Sequence, residues 1–255
     1  MKIIFAIPLR SKQSSTNWDI VSNRLQETVD SILKNKIPKD YSLKIIVCGH
    51  QKPKFLKEKI YKKIKFIKSE NPIPIQFEDY MRDKKAKKKS IARYIDTKLE
   101  QEEKALFMFF DADDIINKEL IINVIRDFEV ENIDDIAFMR GYVYDSASEE
   151  IGFCEGNKNI FYQRCGSCFI SKISGGKAFE YLSQLNNHSK FPITSEELGR
   201  SVKYSEYPGI AYIVNHGAND VNQRRGDAPI DNLIKRTITS GDVHKVFIKD
   251  FGIKV

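Results

Sequence analysis

Three aspartates, Asp111, Asp113 and Asp114, follow directly on six uninterrupted apolar residues, Ala105 to Phe110. In an extended segment residues i and i+2 point to the same side, so Asp111 and Asp113 can converge. Two carboxylates a few ångströms apart repel one another unless a proton or a cation lies between them. Mg²⁺ and Mn²⁺ are hard cations that bind one or two carboxylates together with substrate phosphates. The pair is therefore suited to grip a metal–diphosphate at the end of a buried strand. The competing explanation is local: Asp113 or Asp114 caps a helix starting near Asn117, and the others are solvated. The apolar run before the motif and the helical pattern after it favour the metal.

Two further groups carry weaker signals. His216, in Val214-Asn215-His216-Gly217, could lend an imidazole to a Mn²⁺ site, although a lone His is more often a hydrogen-bonding structural residue. Arg224 and Arg225, in the same polar stretch, could neutralise a leaving diphosphate. Cys165 and Cys168 form a C-x-x-C, but only Cys48 and Cys154 accompany them and no His follows closely. No zinc set is complete, so buried thiols are the expectation.

The segments that must position these residues alternate in type. Strand patterns cover residues 2–8, 43–49 and 64–68, and helical spacing covers 19–36, 55–63 and 77–103. Ala105 to Phe110 has no polar residue, as a central parallel strand covered on both faces requires. A helix over 117–131 follows, then strands at 136–140 and 210–214, with shorter candidates at 159–163 and 167–170. Residues 175–185 and 196–202 read as helices, and the chain from 221 onward is polar and hard to place. Alternation of this kind predicts βαβ units, an α/β fold with a mostly parallel central sheet flanked by helices. Ligands in such sheets bind beyond the carboxyl ends of the strands, where Asp111 would lie. No repeat or linker divides the chain, which predicts one domain over 1–255, with a nucleotide-binding half (1–115) and an acceptor-binding half (116–255).

Composition bounds the function. The 255 residues are 41% apolar and 30% charged, with 42 basic against 35 acidic residues and a net charge of +7. That balance suits a polyanionic partner. Lys52 to Lys68 contains eight lysines, best taken as a solvated face, and Arg82 to Arg93 contains seven basic residues. No apolar stretch approaches the ~18 residues of a membrane span. The opening segment is too short for a secretory signal, so a cytoplasmic location is expected. The basic residues around Lys84 to Lys89 could hold the protein against the anionic inner face of a membrane.

The layout resembles a GT-A type glycosyltransferase of the broad family-2-like group of bacterial surface-polysaccharide enzymes. The likeness rests on Ile7-Pro8-Leu9-Arg10 after the first strand, on Lys88-Lys89-Ser90-Ile91-Ala92-Arg93, and on Asp111-Ala112-Asp113. It covers residues 2 to 140 well and thins beyond. What it implies is a nucleotide-sugar donor, a UDP-sugar first, and a saccharide or lipid-linked saccharide acceptor. Pro8, Arg10, Lys89, Arg93, Asp111, Ala112 and Asp113 would bind the donor. Asp113, with Asp111 and His216, would hold Mn²⁺ or Mg²⁺. The resemblance also implies a catalytic base at Glu197 or Glu196, although Thr194 and Glu197 equally fit a capping box. Gly166 to Phe169 falls where relatives meet the donor sugar or acceptor. One departure is His50 after the second strand, where many relatives carry an Asp that binds the base.

Two rival classes share some of these features. A haloacid-dehalogenase-like phosphatase also uses a D-x-D, but after the first strand of its domain. A basic nucleic-acid-binding protein fits the charge, yet no helix-turn-helix, finger or RNP motif is present, so no nucleic-acid partner is expected.

Overall fold

The computed structural model describes residues 1–218 and 234–252. The first strand, β1 (Lys2–Pro8), is buried from Ile3 onward. A helix, α1 (Trp18–Leu33), leads to β2 (Ser42–Gly49), and a short β3 (Lys65–Lys68) follows. Then come α2 (Phe77–Asp96) and β4 (Lys104–Phe109), in which every residue after Lys104 is buried. The second half contains β5 (Ile115–Ile116), α3 (Leu120–Val130), β6 (Asp135–Phe138), β7 (Gly141–Asp145) and β8 (Ile151–Cys154). It continues through β9 (Phe169–Ser174), α4 (Ala178–Leu182), α5 (Phe191–Glu197), β10 (Val202–Ser205), β11 (Ile210–Val214) and α6 (Gly241–Phe251).

Seven strands form one sheet in the order β10-β6-β9-β4-β1-β2-β3. β1 pairs in parallel with β2 on one side and β4 on the other. Only β9 runs against its neighbours, between β4 and β6. The expected α/β architecture with a mostly parallel central sheet is therefore what the chain builds. A second sheet, β5-β11-β7-β8, is covered by α6, whose Phe247 is fully buried against Tyr142 and Tyr144.

Local chemistry sets these elements. Asn17 caps α1, its side chain accepting the N–H groups of Asp19 and Ile20 at 3.0 and 3.2 Å. Val21, Leu25, Val29 and Ile32 then recur at helical spacing and are buried against the sheet. Each such side chain contributes roughly 1.5–3 kcal/mol on burial.

Several expectations are corrected. The segment 55–63 is two single 3₁₀ turns, Phe55–Lys57 and Lys59–Tyr61, not a helix. α2 stops at Asp96 instead of running to 103, and Glu102 takes a left-handed φ of 62° that no helix continues through. Residues 159–163 hold a 3₁₀ turn, Phe161–Gln163, rather than a strand. The helix expected over 196–202 lies earlier. Pro192 sits in the first turn of α5, where its missing N–H is harmless, and Gly199 at φ 74° closes the end. Thr194 is therefore inside the helix, and the capping box with Glu197 does not form. Among the described residues, no helix is long and apolar enough to cross a membrane.

Candidate functional site

The carboxyl ends of β1 and β4 open into a cleft of about 270 Å³. Of the residues expected to bind there, Pro8, Arg10, Asp111, Ala112, Asp113 and His216 line it. β4 delivers the carboxylates: Phe110 N–H donates to the Ala6 carbonyl at 2.9 Å, and the chain leaves the sheet at Asp111.

The three aspartates have separate fates. Asp113 Oδ2 meets His216 Nε2 at 3.0 Å, with the His216 side chain 3% exposed and that of Asp113 27%. Asp111 is turned toward α2, and Lys84 Nζ lies 2.7 Å from its Oδ1. Burial would raise the Asp111 pKa, but Lys84 and Lys88 outweigh it and hold the carboxyl below its usual range. Asp114 is fully buried behind the cleft. Ser167 Oγ donates to Asp114 Oδ2 at 2.6 Å, and Ile213 N–H donates to Oδ1 at 3.3 Å. Burial, then repulsion from Asp113 and Asp111, pushes the Asp114 pKa well up. Ser167 Oγ also accepts the Asp111 N–H at 2.8 Å, so one hydroxyl ties both ends of the motif together.

Gly166 lets this turn pass over the motif, because a Cβ there would lie 2.3 Å from Asp111 Oδ2. Cys165 and Cys168 flank it as buried free thiols, with Cys165 Sγ 3.3 Å from Asp114 Oδ2. Among the described residues, no three His, Cys, Asp or Glu side chains converge into a metal shell. Asp113 and His216 nevertheless form a carboxylate–imidazole pair that would give a divalent cation two protein ligands, the rest coming from phosphate oxygens and water.

Other expected residues fall elsewhere. Lys89 is exposed on the outer side of α2, and Arg93 lies over the Phe179 ring at 5.1 Å, so neither lines the cleft. Glu196 and Glu197 are exposed at the C-terminal end of α5, where Glu196 accepts from the Tyr204 hydroxyl at 2.8 Å. Neither glutamate lines the cleft. Arg224 and Arg225 lie outside the described residues.

Three parts of the wall were not anticipated. α2 presents Tyr80, Asp83, Lys84 and Lys87 to the cleft. His188, in the 3₁₀ turn His188–Lys190 before α5, contributes an imidazole, and Tyr212 of β11 lies opposite. Burial, reinforced by Lys84 and Lys88 against the pull of Asp111, lowers the His188 pKa. Burial and the neighbouring Lys84 likewise bring the Lys88 pKa down to about 8. The α2 signal was present in the spacing. Positions 80, 83–84 and 87–88 continue the stripe of Ile91, Ala92 and Ile95, which are buried. Charges on a core-facing stripe mark a site rather than a solvated face.

No family model and no curated protein matches the chain. Among solved structures it is similar to residues 1–349 of S. aureus TarS in complex with UDP-GlcNAc. The TM-score is 0.52 at 14% identity, over 87% of this chain and 61% of that one. A second structure of S. aureus TarS 1–349 gives a TM-score of 0.51 at 13% identity, over 84% and 60%. The chain has the GT-A fold. It spans about three fifths of the length of those TarS chains. With this fold the D-x-D ends the fourth strand of the chain, and the dehalogenase-like alternative loses its scaffold.

Proposed function

We propose that the chain is a glycosyltransferase that binds a nucleotide-diphosphate sugar, a UDP-sugar first, in this cleft. The observation that carries the proposal is the pairing of Asp113 with His216 at the end of the central strand of a GT-A fold, opposite a lysine-bearing helix. The TarS structure similar in fold holds UDP-GlcNAc, which supports a donor of that class.

Asp113 and His216 would hold Mn²⁺ or Mg²⁺, and the cation would offset the charge that develops on the leaving diphosphate. Lys84 fixes Asp111 on the donor side, and Arg10, stacked 5.1 Å over Tyr80, closes the wall. In an inverting transfer an acceptor oxygen forms a bond to the anomeric carbon as the carbon–diphosphate bond breaks. The bonding pair leaves with the diphosphate, and the hydroxyl proton must go to a base within the cleft. We assign that base to His188, since Glu196 and Glu197 lie outside. The acceptor is a saccharide or lipid-linked saccharide. Arg82, Lys85 and Lys89 face outward from α2, and Ile75, just before the first turn of that helix, is 89% exposed. That basic and apolar rim would meet an anionic membrane carrying such an acceptor. Lys84, Lys87 and Lys88 of the same run face inward and add nothing to it.

The test is a panel of UDP-, GDP- and CMP-sugars incubated with protein and Mn²⁺, followed for release of the nucleotide. Slow hydrolysis of one UDP-sugar is expected, since water can enter as a poor acceptor. If the whole panel stays intact and none of the donors binds, the assignment fails.

A further inference from the structure

A second cavity, of about 250 Å³, lies at the opposite edge of the main sheet. The cleft opens at the carboxyl end of β4, whereas Lys104 begins that strand, about 17 Å from Phe109 at the rise of an extended chain. Lys104, Lys172, Lys177, Arg200, Asp134 and Tyr181 line the cavity, four cations against one carboxylate. That carboxylate is engaged: Asp134 Oδ2 accepts the N–H and the hydroxyl of Ser201, each at 3.0 Å.

Arg200 is fixed along one edge only. Its Nε donates to Asp135 Oδ2 at 2.7 Å and its Nη2 to Oδ1 at 3.1 Å, and Asp135 is fully buried. Nη2 also donates to the Lys172 carbonyl at 2.7 Å, and the guanidinium lies 4.1 Å over the Tyr181 ring. A guanidinium has five N–H groups, and the two on Nη1 have no partner among the described residues. The side chain is 21% exposed, so solvent reaches it. Lys104 Nζ likewise has no ion pair or hydrogen bond among the described residues. Lys177 Nζ meets only Glu102, at 3.8 Å, and Glu102 stands outside the wall. Lys172 is partly spent, since its Nζ donates to the Ile133 carbonyl at 2.8 Å.

Tying β6 to β9 explains the Nε and Nη2 edge of Arg200. It explains neither the unused Nη1 nor the gathering of like charges around one hollow, where they repel one another. Asp134 and Asp135 offset two of the four cations, which leaves the charge that a phosphate dianion neutralises. A guanidinium held rigid with two free N–H groups is suited to a tetrahedral oxyanion, and each bond it makes is charge-assisted.

We propose that this cavity binds a phosphate group, carried on a small molecule or on a lipid headgroup, with Arg200 Nη1 and Lys104 as donors and Lys177 at the rim. The site is separate from the cleft and stands whether or not the cleft takes a nucleotide.

The experiment follows the ³¹P resonance of inorganic phosphate as protein is added, with chelator present so that no metal–phosphate forms in the cleft. Saturable broadening is expected for the wild type and, unchanged, for Lys84→Ala, which alters the cleft. The double variant Lys104→Glu/Lys177→Glu is expected to bind at least about tenfold more weakly. Both lysines are exposed, so this variant should fold as the wild type does. Arg200→Lys keeps the charge but loses the fork, and it should weaken binding by a similar factor. Failure of the wild type to bind phosphate would overturn the proposal, as would undiminished binding by the double variant. Equal loss in Lys84→Ala would place the anion in the cleft and overturn it too. Co-sedimentation with phosphatidylglycerol vesicles separates the two sources. Less co-sedimentation of the double variant than of the wild type upholds the site with a lipid headgroup as its ligand. Equal co-sedimentation of the two, beside weakened phosphate binding, upholds it with a soluble one.

Discussion

Replacing Asp113 by Ala is expected to lower sugar transfer on the order of 10²–10³-fold and to remove the dependence of UDP binding on Mn²⁺. Asp111 cannot take over, because Lys84 already holds it at 2.7 Å and keeps it turned toward α2. The substitution leaves His216 as a single buried imidazole, too little to retain a hard cation. His216→Ala should act in the same direction, and the double variant should cost little more than either single one, since both remove the same ion. Asp113 is partly exposed, so its loss should leave the melting temperature nearly unchanged. A folded Asp113→Ala protein with undiminished, Mn²⁺-dependent transfer would show that the cation, if used, is held elsewhere.

The second large effect is expected at His188. His188→Gln should reduce kcat about 10²–10⁴-fold while leaving UDP affinity unchanged, the signature of a group that acts on the acceptor's proton. Glu196→Gln and Glu197→Gln should match the wild type, because both side chains lie on the surface away from the cleft. The pH profile adds a check with a definite sign. Burial favours the neutral imidazole, Lys84 and Lys88 push the same way, and Asp111 opposes them. The working base is the neutral form, so activity falls as pH drops through a pKa below the ordinary 6.5. His188→Gln should abolish that acid limb. Persistence of the limb in the variant, or a glutamine substitution at Glu197 with the larger loss, would return the base to α5.

How far the residues alone announced this arrangement depends on how each part is buried. β4 was legible because both its faces are covered, which leaves only apolar side chains from Ala105 to Phe109. The carboxylates were legible as a pair following it, and the pairing of Asp113 with His216 could be expected from type though not from spacing. The wall supplied by α2 was obscured by composition. Seven basic residues in twelve suggest donor contacts at Lys89 and Arg93 and a membrane-facing patch over Lys84 to Lys89, yet Lys84, Lys87 and Lys88 sit on the stripe that continues as Ile91, Ala92 and Ile95. Reading the period before the charge would have separated them from the exposed Lys85 and Lys89. β5, β7, β8 and β10 escaped because strands of two to five residues carry too little alternation to stand out. α6 had a usable signature within a polar stretch: Ser240 accepts the Val243 N–H, Val243, Phe247 and Phe251 recur every fourth residue, and Gly252 ends the helix at φ 68°. The glutamates were misplaced for a different reason. Thr194 and Glu197 satisfy a local capping rule, but Pro192 starts the helix sooner and carries both glutamates to its far end.

The most direct test of the donor site is isothermal titration of UDP into the wild-type protein in Mn²⁺ and, separately, after exhaustive chelation. Saturable binding of one UDP per chain that weakens at least tenfold without the metal is the predicted result. Binding of equal strength with and without metal, or no binding of UDP under either condition, would contradict a cation held by Asp113 and His216 against the donor diphosphate.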